Sequence, residues 1–441
     1  MTDQDQAAFP IETADRISGT LARFLKIEAA AGGLLLLSTI LALILANTAF
    51  STPFLAFWQM PIGLKFGPLD FTRSIQHWIN DGLMTLFFFV VSLELKREFV
   101  LGELKDLRTA ALPLAAALGG MIVPASFYLG AMAGQPGMHG WGTVMATDTA
   151  FVIGALALFG RRIPQSLRVF LISLAIFDDV GAILVVAIGY GDSLNLGALA
   201  LAVLALCTVA VSARIGIRSI PIYVLFGVLV WLSFDASGLH ATIAGVILGL
   251  MTPTRVWVVD ERMRAFLGRV LARPLGEHWS GNTSERHDLR DAGRAIKESL
   301  SPLERLEIML HPWVGFLVIP LFALANAGVA MTAGDFGQRL SFAIFAGLVF
   351  GKPIGVLVFS WVASRLGLAR LGDELSWPLL TAGAFLTGIG FTMSLFIANL
   401  AYDPALLAEA KLGILVASAT SAVIGILLLA WLSLRKHAAQ P

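Results

Sequence analysis

The chain has 441 residues, 57% of them hydrophobic and 14% charged, with a mean hydropathy of +0.80 and a formal net charge of +1. Soluble domains carry about 25% charged residues, so this composition excludes a soluble globular protein. The near-neutral balance gives no sign of a nucleic-acid partner.

Residues 1–28 mix Asp, Glu and Arg without an apolar core or a small-residue cleavage site, and read as a cytoplasmic N-terminal segment rather than a cleaved signal peptide. Roughly 20 apolar residues cross a bilayer core as helix. Twelve such segments follow, at 29–47, 79–99, 109–133, 141–159, 168–190, 195–213, 219–235, 238–251, 311–331, 341–364, 377–400 and 411–434. Their continuous apolar runs lack period-2 alternation, which excludes a β-barrel and predicts an all-α polytopic membrane protein in contact with the lipid bilayer. Residues 29–251 carry segments 1–8. Between the first two, PIGLKFGPLDFTR at 61–73 alternates apolar residues across Gly67-Pro68 and predicts an outer hairpin. Residues 252–310 form a long cytoplasmic loop rich in Arg, Glu and Asp, 311–434 carry segments 9–12, and 435–441 are a tail. The single cysteine, Cys207, permits no internal disulfide and reads as a packing residue.

Basic residues set the orientation. With the N-terminus inside, cytoplasmic segments hold 26 of the 31 Lys and Arg, while the outer loops hold only Lys65, Arg73, Arg339 and Lys411. The asymmetry predicts cytoplasmic N- and C-termini. The remaining cation, Lys352, lies inside segment 10.

Asp148, Asp178, Asp179 and Lys352 all fall near the middle of their segments. A charge at that depth costs at least about 2.5–3.5 kcal/mol and normally faces a bundle interior or water cavity with a partner. Three acids and one base at one depth predict one site. Adjacent helical residues point about 100° apart, so Asp178 and Asp179 cannot both meet Lys352; one can pair with it while the other faces Asp148 or a cavity.

Two segments contain helix breakers. Segment 4 reads MATDTAF, and segment 11 reads LTGIGFTMS, with Gly388 and Gly390 followed by Thr392. Transporters place discontinuous helices at mid-membrane, where freed carbonyls and half-helix dipoles bind ions. Segment 4 is the middle of segments 3–5 and segment 11 the middle of segments 10–12, and the two triplets run in opposite senses. Inverted-topology repeats of this kind are the architecture of alternating access.

The stretches ATDTAFVIGALALFG, LAIFDDVGAI, SGLHATIAGVI, LHPWVGFLVIPLFALANAG, GKPIG, GIGFTMSLFIA and AKLGILVAS resemble the NhaA family of bacterial sodium/proton antiporters. The resemblance implies that Asp148 and Asp179 bind the cation, that Thr147 supplies an oxygen, and that Asp178 partners Lys352. It also implies a pH-responsive group at the cytoplasmic side, here Glu94, Arg97, Glu98, Glu307 and His311, with His240 at the outer start of segment 8. A homodimer held on the external face through the 61–73 hairpin, and residence in a bacterial inner membrane, follow from the same resemblance. The chain departs from the family pattern in having Ile308 where a histidine is usual and in the length of the 256–302 segment.

The chemistry agrees with this expectation. Na+ and Li+ are hard cations that prefer oxygen ligands, so Asp148, Asp179, the Thr147 hydroxyl and unwound carbonyls are suitable donors. Carboxyl groups away from water and near one another favour protons over charge, so cation and proton compete. A carrier that changes face only when loaded is then an exchanger, without any cofactor, and moves net charge if two protons replace one sodium. Two rivals fit less well. An intramembrane aspartyl protease has no use for Lys352 and its GxGD pattern is absent; a symporter for organic anions needs further polar groups at the midplane.

Overall fold

The computed structural model describes residues 28–66, 69–102, 105, 107–191, 194–215, 220–255, 260–271, 284–329, 338–372 and 374–438. The N-terminal segment assigned to 1–28 and the end of the tail lie almost wholly outside them. In chain order the elements are α1 (Glu28–Ala46), α2 (Ser51–Trp58), β1 (Pro61–Phe66), β2 (Leu69–Ser74), α3 (Ile75–Val100) and α4 (Leu107–Ala131). A 3-10 helix (Met138–Val144) then leads to α5 (Thr149–Ala157), followed by α6 (Gln165–Gly189), α7 (Leu196–Ile215), α8 (Ile220–Ser237) and α9 (Thr242–Met251). After α10 (Asp260–Leu271) and α11 (Ser284–Glu298) come α12 (Pro302–Asn326), α13 (Arg339–Arg365), α14 (Trp377–Thr387), α15 (Phe391–Ala401) and α16 (Pro404–Ala438).

Helix overlies each of the twelve apolar segments, but not each as one span. Among the described residues seven helices are long and apolar enough to cross a membrane, or up to nine if bent pairs count as single spans. Segment 4 is split between the 3-10 helix and α5, segment 8 yields only the ten residues of α9, and segment 11 is α14 and α15 joined at 42°. Residues such as Leu37, Ile44, Leu204, Val211 and Leu427 leave apolar side chains exposed, as a bilayer-facing surface requires. Cys207 is exposed as well. The packing role expected of it does not hold, because apolar surroundings in a membrane helix include lipid.

The described residues of the long loop include helices. α10 and α11 lie within it, and α12 begins at Pro302 rather than 311. The cap explains the early start: the Ser301 backbone N–H donates to Glu304 Oε2 at 2.9 Å and the Glu304 N–H donates to Ser301 Oγ at 3.2 Å, a reciprocal capping box. Hydropathy alone misses these amphipathic first turns.

The described residues group into two units, one within Met1–Asn80, Ala111–Val186 and Pro312–Pro441, the other within Asp81–Ala110 and Ala187–His311. In the first, the hairpin pairs Pro61 with Ser74 through Phe66 with Leu69, antiparallel. Trp78 Nε1 donates to Ile62 O at 2.9 Å, and Ser74 Oγ caps the start of α3 by accepting from the His77 N–H. Small residues let helices in this unit touch. A Cβ on Gly355 of α13 would lie 2.0 Å from Gly119 O of α4, a backbone-to-backbone approach that membrane helices use in place of hydrophobic collapse. In the second unit, α3 and α9 meet the same way, with a Cβ on Gly245 falling 2.2 Å from Thr85 O. Ala202, Val209, Val230, Phe234 and Ala244 join α7, α8 and α9 in one buried cluster.

Candidate functional site

The site lies where two helix interruptions meet. Between Val144 and Thr149 the helix is interrupted, and Asp148 is extended, with φ −88° and ψ 98°, as the N-cap of α5, its Oδ1 accepting from the Phe151 N–H at 3.2 Å. Aspartate is among the best N-caps because its side chain satisfies donors that the helix start leaves free. The second interruption, Gly388–Gly390, separates α14 from α15. Its glycines leave room that a side chain would fill, since a Cβ on Gly388 would be 2.6 Å from Leu348 O and one on Gly390 2.1 Å from Ser394 Oγ. The interruptions bond to each other through the backbone, the Asp148 N–H donating to Ile389 O at 2.7 Å. Groups released from both ladders are thereby satisfied inside the protein, as the bilayer interior demands.

Thr392, in the first turn of α15, gives Asp148 Oδ2 two hydrogen bonds, one from its backbone N–H at 3.0 Å and one from its hydroxyl at 2.5 Å. Ser418 Oγ, on α16, accepts from the Phe391 N–H at 3.2 Å and so caps α15 from a neighbouring helix.

Lys352 forms the other half of the site. Its Nζ lies 2.9 Å from Asp178 Oδ2 and donates to Met145 O, with both charged side chains fully buried. Thr147 Oγ1 is 2.6 Å from Asp178 Oδ2 and 3.0 Å from Thr387 O. A hydroxyl has one proton to give, and the nearer carboxylate takes it. The Thr147 hydroxyl thus bonds Asp178, with the Thr387 carbonyl of α14 beside its oxygen. Asp178 and Asp179 both lie on α6 and are 1% and 5% exposed. Helical geometry left open which aspartate meets Lys352, and the family resemblance implied Asp178; in the structure it is Asp178 that lies beside Lys352. Thr147, which bonds Asp178, immediately precedes Asp148 in the chain.

Five of the six residues grouped as pH-responsive come together in the second unit. Arg97 bonds Glu98 Oε1 at 2.9 Å and also Glu307, while His311 Nδ1 lies 2.9 Å from Glu94 Oε1. The sixth, His240, stands apart just before α9, with Nε2 against Tyr190 O. Neighbouring Lys96 is occupied structurally, donating to Leu250 O and Thr252 O, both at 2.7 Å, at the end of α9.

Sequence reasoning assigned Thr392 only to the helix break and passed over Thr387, Ser418 and the Met145 carbonyl. The one available signal was a hydroxyl residue directly after the glycine pair.

The chain is similar in sequence to known proteins. The family described as Na+/H+ antiporter 1 matches residues 22–429. The Na(+)/H(+) antiporter NhaA of Rhizobium meliloti (strain 1021) is 58% identical over 424 residues, 96% of this chain and 97% of the relative. The Na(+)/H(+) antiporter NhaA 2 of Acidiphilium cryptum (strain JF-5) is 54% identical over 433 residues, 97% of this chain and 96% of the relative. NhaA 2 of Vibrio vulnificus (strain CMCP6) is 51% identical over 427 residues, with 97% and 96% covered. With a match over nearly its whole length, the chain belongs to the Na+/H+ antiporter 1 family.

Proposed function

We propose that this protein exchanges cytoplasmic Na+, or Li+, for external protons across a bacterial inner membrane, by alternating access and with two protons per sodium. The observation that carries the reading is Asp148 held at the crossing of two interrupted helices, bonded to one break through its backbone and to Thr392 through its side chain. A site of this kind offers carboxylate and freed carbonyl oxygens to a hard cation on elements that a rocking of half-helices can re-aim.

In the cycle, Na+ reaching Asp148 and Asp179 from the cytoplasm displaces protons, and the loaded site turns to the other face. There protons displace Na+ and the site returns. Asp148 serves as the exchanging carboxylate, steadied by Thr392 and by the start of α5, whose positive dipole end favours a negative group. Asp178 and Lys352 hold α6 against α13, and Lys352 is either the second proton carrier or the counter-ion. Segments 3–5 and 10–12 are read as the inverted repeats, both termini as cytoplasmic, and the active form as a homodimer joined through the 61–73 hairpin.

The test is dye-reported proton movement in everted vesicles on addition of Na+. Wild type is expected to release protons, while Asp148→Asn and Asp179→Asn lose the response yet insert and purify normally. Substantial exchange in both variants overturns the assignment.

A further inference from the structure

The outer part of the first interrupted helix is held by hydroxyl groups outside the ion site. The 3-10 helix Met138–Val144 starts after Gly137, whose φ of +90° favours glycine. Three hydroxyls converge on its first turn. Tyr128, on α4, donates to Gly137 O at 2.6 Å, and Thr143 donates to Gly140 O at 2.7 Å. Tyr402, directly after α15, lies 2.8 Å from Tyr128 Oη and 3.3 Å from both Thr143 Oγ1 and Gly140 O. Each hydroxyl has one proton. With those of Tyr128 and Thr143 on carbonyls, the shortest remaining bond is from Tyr402 to Tyr128 Oη. Tyr128 is fully buried and Tyr402 nearly so.

The fit is tight as well as bonded. A Cβ on Gly140 would stand 2.0 Å from Tyr402 Oη, and one on Gly137 would touch the Tyr402 ring at 3.4 Å. Tyr402 therefore lies on the bare backbone of the 3-10 helix. The same short helix leads directly to Met145, whose carbonyl accepts from Lys352, and to Thr147 and Asp148. At its other end α15 carries Thr392, which holds Asp148. One clamp at the outer end thus fixes both half-helices that frame the ion site.

We propose that Tyr128 and Tyr402 are positioning residues that form a latch, closing the ion site to the outside when bonded and releasing for it to open there. The inference rests on the exchange reading and on the orientation given above. The bond joins α4 to the residue after α15, so an outward opening that shifts the half-helices against α4 breaks it.

Removing one hydroxyl shifts the balance towards the outward-open state. Apparent affinity from either side scales with the fraction of protein competent on that side. Tyr402→Phe and Tyr128→Phe should lower the external half-saturating Na+ concentration about five-fold, the factor to which roughly 1 kcal/mol, one neutral hydrogen bond, converts. The cytoplasmic value should change little. Gly140→Ala should act likewise by displacing the Tyr402 ring together with its hydroxyl. A merely structural loss would raise both half-saturation values, and that result, or equal shifts on both sides, overturns the latch. Oriented vesicles measure the two sides. If wild type shows no Na+-dependent proton movement, the exchange reading fails and the latch is tested without transport. For that, Ala146→Cys in a Cys207→Ser background is labelled from outside with an impermeant thiol reagent. Tyr402→Phe should speed labelling about five-fold, and an unchanged rate overturns the latch.

Discussion

Lys352 Nζ lies 2.9 Å from Asp178 Oδ2, and neither side chain is exposed. Because Thr147 and Met145 add bonds to the same pair, three elements converge on it: α6, α13 and the stretch before α5.

The pair predicts a stability signature. Removing one partner of a buried ion pair costs about 3–5 kcal/mol, because the other charge is left uncompensated. Lys352→Ala should lower the melting temperature in detergent, and adding Asp178→Asn should recover part of the loss. A double variant no more stable than Lys352→Ala would show that the two charges are not coupled.

Thr392 predicts a separable effect on affinity. Its hydroxyl and N–H both orient Asp148 Oδ2, and a hydrogen bond to a charged group contributes about 1.5–3 kcal/mol. Thr392→Val keeps the shape and the N–H but loses the hydroxyl, so the half-saturating Na+ concentration should rise roughly ten- to a hundred-fold. Thr392→Ser should restore it. A valine variant with wild-type affinity would remove Thr392 from the site.

The hairpin predicts an assembly phenotype. β1 and β2 form a sheet of only two strands, so each has an outer edge able to pair with a copy across a two-fold axis. Deleting residues 62–72 should shift the protein towards monomer on sizing in detergent while transport persists, since the ion site lies within one chain. Loss of transport in well-inserted protein would contradict independent protomers.

What sequence could disclose follows from the medium. Charge in a bilayer is costly, so Asp148, Asp178, Asp179 and Lys352 stand out against apolar segments, and Gly388 and Gly390 mark a break because glycine weakens a helix. Positions that depend on rotation about a helix axis are not readable from spacing alone: whether Asp178 or Asp179 meets Lys352 turns on about 100° and on how α13 approaches α6, and only the family resemblance pointed to Asp178. Backbone acceptors such as Met145 O carry no residue signature at all. The hydroxyls of Thr392, Ser418 and Tyr402 are common in membrane helices, and only the distances distinguish them. Hydropathy also hides amphipathic pieces, which is why α10, α11 and the first turns of α12 merged into one loop.

The pH dependence separates two controls. If Na+ and protons compete for Asp148 and Asp179, lowering pH supplies the competitor, so the half-saturating Na+ concentration rises while the maximal rate at saturating Na+ changes far less. A cytoplasmic gate would act differently. In the Glu94, Arg97, Glu98, Glu307 and His311 cluster the Arg97 side chain is 40% accessible and that of His311 55%, while that of Glu307 is only 9%. The exposed His311–Glu94 pair contributes roughly 0–1 kcal/mol, too little to gate transport by itself. Competition at the buried carboxylates is therefore expected to dominate. Solid-supported-membrane currents measured against Na+ at several pH values should superimpose at saturation, and Arg97→Gln or His311→Gln should leave the pH shift of half-saturation in place. A maximal current that collapses at low pH despite saturating Na+, and is restored by either cluster variant, would transfer control to the gate. The absence of any current in protein that exchanges would show that proton and sodium charges cancel.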